Sequence, residues 1–421
     1  MVDPTGARRG RRVAIRVGYV LAFRDPYEPG ADASYFHLGG RFLAEGHGFI
    51  NGIGYGWTSG RLKVPSAFHP PAYTVFLALP SWLGFDRVLD HQIATSLLGT
   101  ATVVVVGLLG RRVAGPRAGL FAAAVAAVYP NLWFSDVFLM SETLSVLAVA
   151  VALLLAYRSW PRPTPAHMAA LGVVCGVAAL TRAENVFLAP LLAGGVVLIA
   201  RDVTWRRRLC LLMVAGLATV VSLAPWVLYN HGRFERPVYL STGLGNLLAT
   251  SNCDQTYHGS RLGSYYGACQ PAHAAADESQ AEYVQRKQAW RYISDHLGRL
   301  PVVAAARAGR TWGLYRPLQV IRLDHLEPQE PRELPTAWLG LAMYYALAGA
   351  SIFGIFLLRR RRIPVLPLLV PMLLVTIVAM ATNGQTRYRA SAEVSLIVLA
   401  SVAASARAGS KREEAPPLEP G

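Results

Sequence analysis

Nine apolar runs, each near the ~20 residues that cross a bilayer as a helix, dominate the sequence: 88–110, 118–134, 138–157, 168–184, 186–200, 209–228, 336–358, 364–382 and 391–406. A partial run lies at 13–23. Such a chain is expected to fold as an all-α polytopic membrane protein with about nine or ten transmembrane helices. Composition agrees, because 53% of residues are hydrophobic and only 16% charged, against roughly 25% charged in soluble domains. The net charge of +16 sits in clusters between the runs: Arg8, Arg9, Arg11 and Arg12; Arg111 and Arg112; Arg206 to Arg208; Arg359 to Arg362. Clusters in that position read as cytoplasmic anchors that set topology. They do not form a nucleic-acid stripe, and no nucleic-acid partner is expected.

With the basic clusters inside, the chain divides into a cytoplasmic N-terminus with an incomplete first helix (1–23), an outer first loop with interfacial helices (24–87) and a transmembrane bundle (88–228). A mixed outer loop (229–335), C-terminal transmembrane helices (336–406) and a cytoplasmic tail (407–421) follow. The run Val13 to Phe23 is too short to cross and holds Arg16, which points to a start lying further upstream. The segment His69 to Phe85 is bounded by Pro70 and Pro71, and counting it as a span would invert everything after it. It is expected to be interfacial or re-entrant, with Trp82 at headgroup level. In the large outer loop, Asp277 and Glu278 mark a helix start, Tyr283, Trp290, Ile293 and Leu297 recur at helical spacing, and Pro301 suits the first turn of a second helix. Cys253 and Cys269 share this polar loop. A disulfide between them would stabilise by roughly 3 kcal/mol on the chain-entropy estimate, and a zinc pair is the weaker reading because no second pair accompanies them.

Charges at a membrane edge are costly, so those outside the basic clusters carry information. On the expected outer face they are Asp32, His37, Lys63, His69, Asp136, Glu142, Arg182, Glu184, Arg387, Arg389 and Glu393. Asp32 precedes an amphipathic stretch and reads equally as a helix N-cap or as a general base. Arg182 and Glu184 read first as a neutralising pair at a tight turn. Arg387 and Arg389 lie outside against the positive-inside bias, and a guanidinium fork matches a phosphate. Headgroup anchoring is the plainer alternative. Nucleotide-cradling, zinc and Ser-His-Asp patterns do not appear.

Read in order, "GADASYF", "RFLAEGHGF", "HPPAYTVFLAL", "YPNLWFSDVFLMSETL", "GVAALTRAENVFLAP", "APWVLYNHGRFERPVYLSTGLGNLL", "RYISDHLGRLPVVAAARAGRTWGLYRP" and "NGQTRYRASAEVSLIVLA" resemble the C-type superfamily of integral-membrane glycosyltransferases. The bacterial relatives of the dolichyl-phosphate-mannose protein mannosyltransferases and the aminoarabinose transferases are the nearest in pattern. The resemblance implies transfer of a hexosyl or pentosyl group from a polyprenyl-phosphate-linked donor to a lipid, glycan or protein acceptor, with inversion. It places the protein in the plasma (inner) membrane with its site on the extracytoplasmic face, among membrane lipids. It maps the catalytic base onto Asp32. Arg387 and Arg389, with Lys63 in reserve, become donor-phosphate partners; Glu142, His69 and Asp136 become candidates for holding the acceptor or a divalent metal ion, with no cofactor certain. One departure is Tyr229 in "PWVLYN", where the family commonly shows arginine.

Two other functions use the same features. A transporter or flippase of lipid-linked sugars would also use outer arginines, but needs polar residues within the spans, and these are few. A non-catalytic cell-envelope membrane protein would use Asp32 only as a cap.

Overall fold

The computed structural model describes residues 30–52, 63–200, 203–270, 277–326 and 332–413, together with Gly18. Apart from Gly18, the partial run at 13–23 lies outside the described residues, as does the tail beyond 413. Among the described residues the secondary structure is helical, with one isolated antiparallel bridge joining Ile50 to Pro65.

The segment before the first long apolar helix contributes α1 (Ala31–Ala44) and α2 (Ala72–Trp82). At 1.5 Å per residue, the 11 residues of α2 span about half the hydrocarbon thickness. Gly40 lets α2 approach α1 closely, since a Cβ there would stand 2.8 Å from Leu77 Cβ. Trp82 is 61% exposed, and its indole donates to the Ala44 carbonyl at 3.1 Å.

The body follows with α3 (Val88–Ala114), α4 (Pro116–Val128), α5 (Pro130–Val137), α6 (Glu142–Ser159), α7 (Pro165–Thr181), α8 (Leu188–Ile199) and α9 (Trp205–Asn230). Later come α10 (Leu244–Ser251), α11 (Glu278–Asp295), α12 (Leu300–Thr311) and α13 (Pro317–His325) of the segment 229–335. The chain closes with α14 (Leu334–Arg360), α15 (Leu366–Ala381) and α16 (Ala390–Glu413). Among the described residues, five helical stretches are long and apolar enough to cross a membrane: α3, α6, α9, α14 and Thr386–Ala406. A sixth is the pair α4 and α5, bent by 46° where Pro130 opens the second helix and cannot donate into the first. The remaining expected spans are the shorter apolar helices α7, α8 with its leading 3-10 turn Ala183–Phe187, and α15. The run read as beginning at 138 starts instead at Glu142.

Burial ranks the helices. In α6 and Thr386–Ala406, 72% and 78% of the apolar window is enclosed, against 22% in α9 and 28% in α14. The last helix is therefore central, while α9 turns Leu217, Val220 and Val221 outward, as a lipid-facing surface requires. Without a hydrophobic drive between helices in lipid, close packing falls to small residues. Gly172 and Gly176 of α7 meet Ala215 and Ser222 of α9, and Gly354 of α14 meets the backbone of Leu399. In the outer region Cys253 and Cys269 are disulfide-bonded.

Candidate active site

The first turn of α1 carries Asp32, and the segment before α2 carries His69. The N-cap of α1 is Gly30 and no side chain caps it, so the N-cap reading of Asp32 gives way. Its carboxylate is engaged elsewhere: Oδ1 stands 3.3 Å from His69 Nε2, and Oδ2 accepts from Arg387 Nη1 and Nη2 at 3.3 and 3.2 Å. Arg387 belongs to the 3-10 turn Thr386–Arg389, which enters the central helix. Its Nε lies 3.8 Å from Glu142 Oε1, at the start of α6. Arg182, ending α7, donates to the same Glu142 oxygen at 2.7 Å and to Glu184 Oε1 at 2.6 Å. The turn pair Arg182–Glu184 thus exists, and it also holds Glu142. Tyr388 lies beneath both guanidinium groups, 5.2 Å from Arg182 and 5.7 Å from Arg387.

Burial pushes the Asp32 carboxyl up, but the His69 hydrogen bond and the charges of His69 and Arg387 outweigh it and hold Asp32 well below the usual carboxylate range. It is therefore ionised at neutral pH. The His69 imidazole is fixed edge-on to Tyr35 and Phe68, both with ring centroids 5.0 Å away, and is tilted over Phe36 at 4.8 Å. Four chain regions far apart in sequence, at 32–69, 142, 182–184 and 387, so converge on one group of charges.

These residues line a cavity of about 1760 Å³. Phe187, Leu191 of α8 and Leu374, Ile377 and Val378 of α15 give it an apolar stretch, and the segment 236–326 contributes both polar and apolar side chains. The cavity brings together Asp32, His69, Glu142, Arg182, Glu184 and Arg387.

Three expected site residues stand apart. Arg389 is 2% exposed; its Nε binds Glu393 at 2.6 Å, Nη1 donates to the Thr311 carbonyl at 2.9 Å, and it is not among the cavity-lining residues. It is a closed internal ion pair, sealed from the cavity that Arg387 and Arg182 line. Lys63 bonds His47 at 3.1 Å, away from the cavity wall. Asp136 is buried, accepts from Thr143 at 2.9 Å, and is likewise off the wall. Tyr229, the departure from the family pattern, carries the guanidinium of Arg233 over its ring at 4.2 Å.

Among the described residues no three His, Cys, Asp or Glu side chains gather as a metal cluster. The carboxylates a divalent ion would draw on, Asp32 and Glu142, already face guanidinium groups.

Sequence reading missed Glu278. This half-buried carboxylate at the start of α11 accepts from Ser66 Oγ at 2.6 Å, the Ala67 amide at 2.9 Å and Thr242 Oγ1 at 3.0 Å. Ser66 also reaches Tyr35. Glu278 therefore pins the strand of chain leading to His69, although in sequence it is only an acid beside an N-cap aspartate.

The sequence pattern of the dolichyl-phosphate-mannose-protein mannosyltransferase family matches residues 68–229. No curated protein sequence matches the chain. Among solved structures, the fold is similar to the archaeal oligosaccharyltransferase AglB from Archaeoglobus fulgidus in complex with an inhibitory peptide and a dolichol-phosphate, with TM-score 0.53, 16% identity, and coverage of 99% of this chain and 53% of that one. The Archaeoglobus fulgidus oligosaccharyltransferase in complex with Zn and sulfate gives TM-score 0.52 and 13% identity over 96% of this chain and 50% of that one. ArnT from Cupriavidus metallidurans bound to undecaprenyl phosphate is more distant, with TM-score 0.47 and 16% identity over 99% and 82%. The chain spans about half the length of the oligosaccharyltransferase structures it matches. The family match thus covers residues 68–229, and over nearly the whole chain the likeness to these integral-membrane glycosyltransferase structures is one of fold.

Proposed function

We propose that the chain transfers a hexosyl or pentosyl group from a polyprenyl-phosphate-linked donor to an acceptor hydroxyl on the extracytoplasmic face of the plasma membrane, with inversion at the anomeric carbon. The observation that carries this reading is the ionised Asp32, held by Arg387 and His69 in a cavity that is also lined by apolar side chains of α8 and α15. The apolar wall from α8 and α15 suits a prenyl chain, and the guanidinium groups suit its phosphate. Asp32 takes the proton of the acceptor hydroxyl as the new C1–O bond forms. The bond from C1 to the phosphate oxygen breaks, and the polyprenyl phosphate leaves as an anion facing Arg387, with Arg182 behind it.

A carboxylate held so far below its usual range is a weak base at rest. Arg387 resolves this, because one guanidinium cannot serve Asp32, Glu142 and an arriving phosphate equally. Donor binding draws Arg387 toward the phosphate, and Asp32 recovers basicity when the donor is in place. Glu142 keeps Arg182 and Arg387 aligned on that side.

The test is transfer of radiolabelled sugar from polyprenyl-phosphate donors in membranes containing the protein or Asp32→Asn. Asparagine preserves shape and removes the base, so transfer is expected to fall by about 10²–10⁴-fold. Asp32→Asn transferring at the unmutated rate would reject Asp32 as the base.

A further inference from the structure

Away from Asp32, the cavity has a second concentration of positive charge. Arg310, on α12, is completely buried, yet no carboxylate among the described residues lies within ion-pair distance of it. Its Nε donates to the Leu262 carbonyl at 2.6 Å, and Nη2 donates to the Ser260 carbonyl at 2.8 Å and Gln319 Oε1 at 3.0 Å. Its Nη1 is buried and has no partner. Arg316 donates to the same Ser260 carbonyl at 3.1 Å. The two guanidinium groups flank the ring of Tyr315, at 5.4 and 5.3 Å. Arg261, the residue after Ser260, lies over Tyr266 at 4.7 Å and also has no carboxylate partner among the described residues.

Three guanidinium groups therefore meet around the 259–266 turn with no acid among them. Like charges brought together out of water repel, and burial without a counter-charge adds to the cost. Burial first, then the charges of Arg316 and Arg261, pull Arg310 below its ordinary value. Carbonyl bonding explains why Arg310 staples the turn, but not why two more guanidinium groups join it or why one of its nitrogens stays unsatisfied. Arg316 holds this place with a left-handed backbone, φ 49°, a conformation costly for a residue with a side chain. The disulfide Cys253–Cys269 brackets the same turn. Arg261, Arg310, Ser264, Tyr265 and Tyr266 all line the cavity that holds Asp32.

We propose that this turn is an anion subsite for the acceptor: the Arg310 and Arg261 guanidinium groups bind a phosphate or carboxylate carried by the acceptor, while Tyr265 and Tyr266 offer faces to its sugar rings. The acceptor class is thus an acidic glycan or glycolipid. The reading rests on the cavity being the transfer site, and the test below measures binding without transfer, so the two fail separately.

The probe is radiolabelled inorganic phosphate, titrated against the full chain in phosphatidylcholine nanodiscs at constant ionic strength. In the Arg387→Gln protein, which lacks the donor-phosphate contact, phosphate is still expected to bind saturably. Adding Arg261→Gln or Arg310→Gln is expected to weaken it roughly tenfold or more. Arg261 is only half-buried, so Arg261→Gln carries the test if Arg310→Gln fails to fold. Phosphate binding that vanishes with Arg387→Gln alone, or that ignores Arg261→Gln in a folded protein, overturns the proposal. So does loss of binding in phosphatidylglycerol nanodiscs, which would assign the subsite to a lipid headgroup.

Discussion

Replacing Arg387 with Gln tests the central arrangement most sharply. Arg387 places two nitrogens on Asp32 Oδ2, at 3.3 and 3.2 Å, and holds Nε 3.8 Å from Glu142. Hydrogen bonds to a charged group contribute about 1.5–3 kcal/mol net. Here both fall on one oxygen, and the two side chains are 24% and 23% exposed, so solvent screening puts the ground-state loss near the lower end, about 1–2 kcal/mol. In the proposed reaction the same guanidinium faces the departing phosphate. Removing one preorganised partner of a developing anion costs about 10²–10³ in kcat. Arg387→Gln should therefore melt close to the unmutated protein but lose about two to three orders of magnitude in transfer. Arg387→Lys keeps the charge without the fork and should lose roughly tenfold. The assay is initial-rate transfer from a labelled polyprenyl-phosphate donor in nanodiscs, with thermal unfolding in parallel. Folded Arg387→Gln with unmutated donor kinetics would refute the shared-guanidinium mechanism.

Asp32 also sets a pH dependence. Its folded pKa is depressed, so its stabilising contribution is present above the unfolded value of about 3.9 and is lost as pH falls through the folded value. Asp32→Asn should flatten the acid side of the unfolding profile; an unchanged profile would count against the ion pair. Glu278→Ala strips acceptors from three donors and should cost about 1–3 kcal/mol, while Glu278→Gln retains one acceptor oxygen and should cost less, both read by thermal unfolding. At Gly176 a Cβ would stand 2.6 Å from Ser222 Cβ. Gly176→Leu should therefore force α7 from α9 and destabilise by at least ~1–3 kcal/mol, which equal resistance to unfolding in detergent would disprove.

Much of the fold was legible because its signal is local. An apolar run of twenty residues in a chain with arginine clusters between the runs has few alternatives, and the short helix Ala72–Trp82 follows the two prolines at 70 and 71. Asp277, Glu278 and Pro301 marked helix starts where helices begin. The bend at Tyr129–Pro130 was missed because hydropathy runs unbroken across it, although the proline was in view.

The site was only half legible, because sequence names charges without saying what they face. Arg387 and Arg389 are two residues apart in "TRYR" and look alike in sequence; the 3-10 turn sends one into the cavity and the other into a sealed pair with Glu393. Lys63 belongs to the right loop but turns to His47. Glu278 and Arg310 lie over 240 positions from Asp32, and only packing of the two outer loops gives them roles. The sequence by itself determined that the chain crosses a membrane and which loops carry charge, since those follow from runs and clusters. Which charges meet was decided by tertiary structure, because an ion pair depends on the burial and direction of both partners, and neither is written in the local sequence.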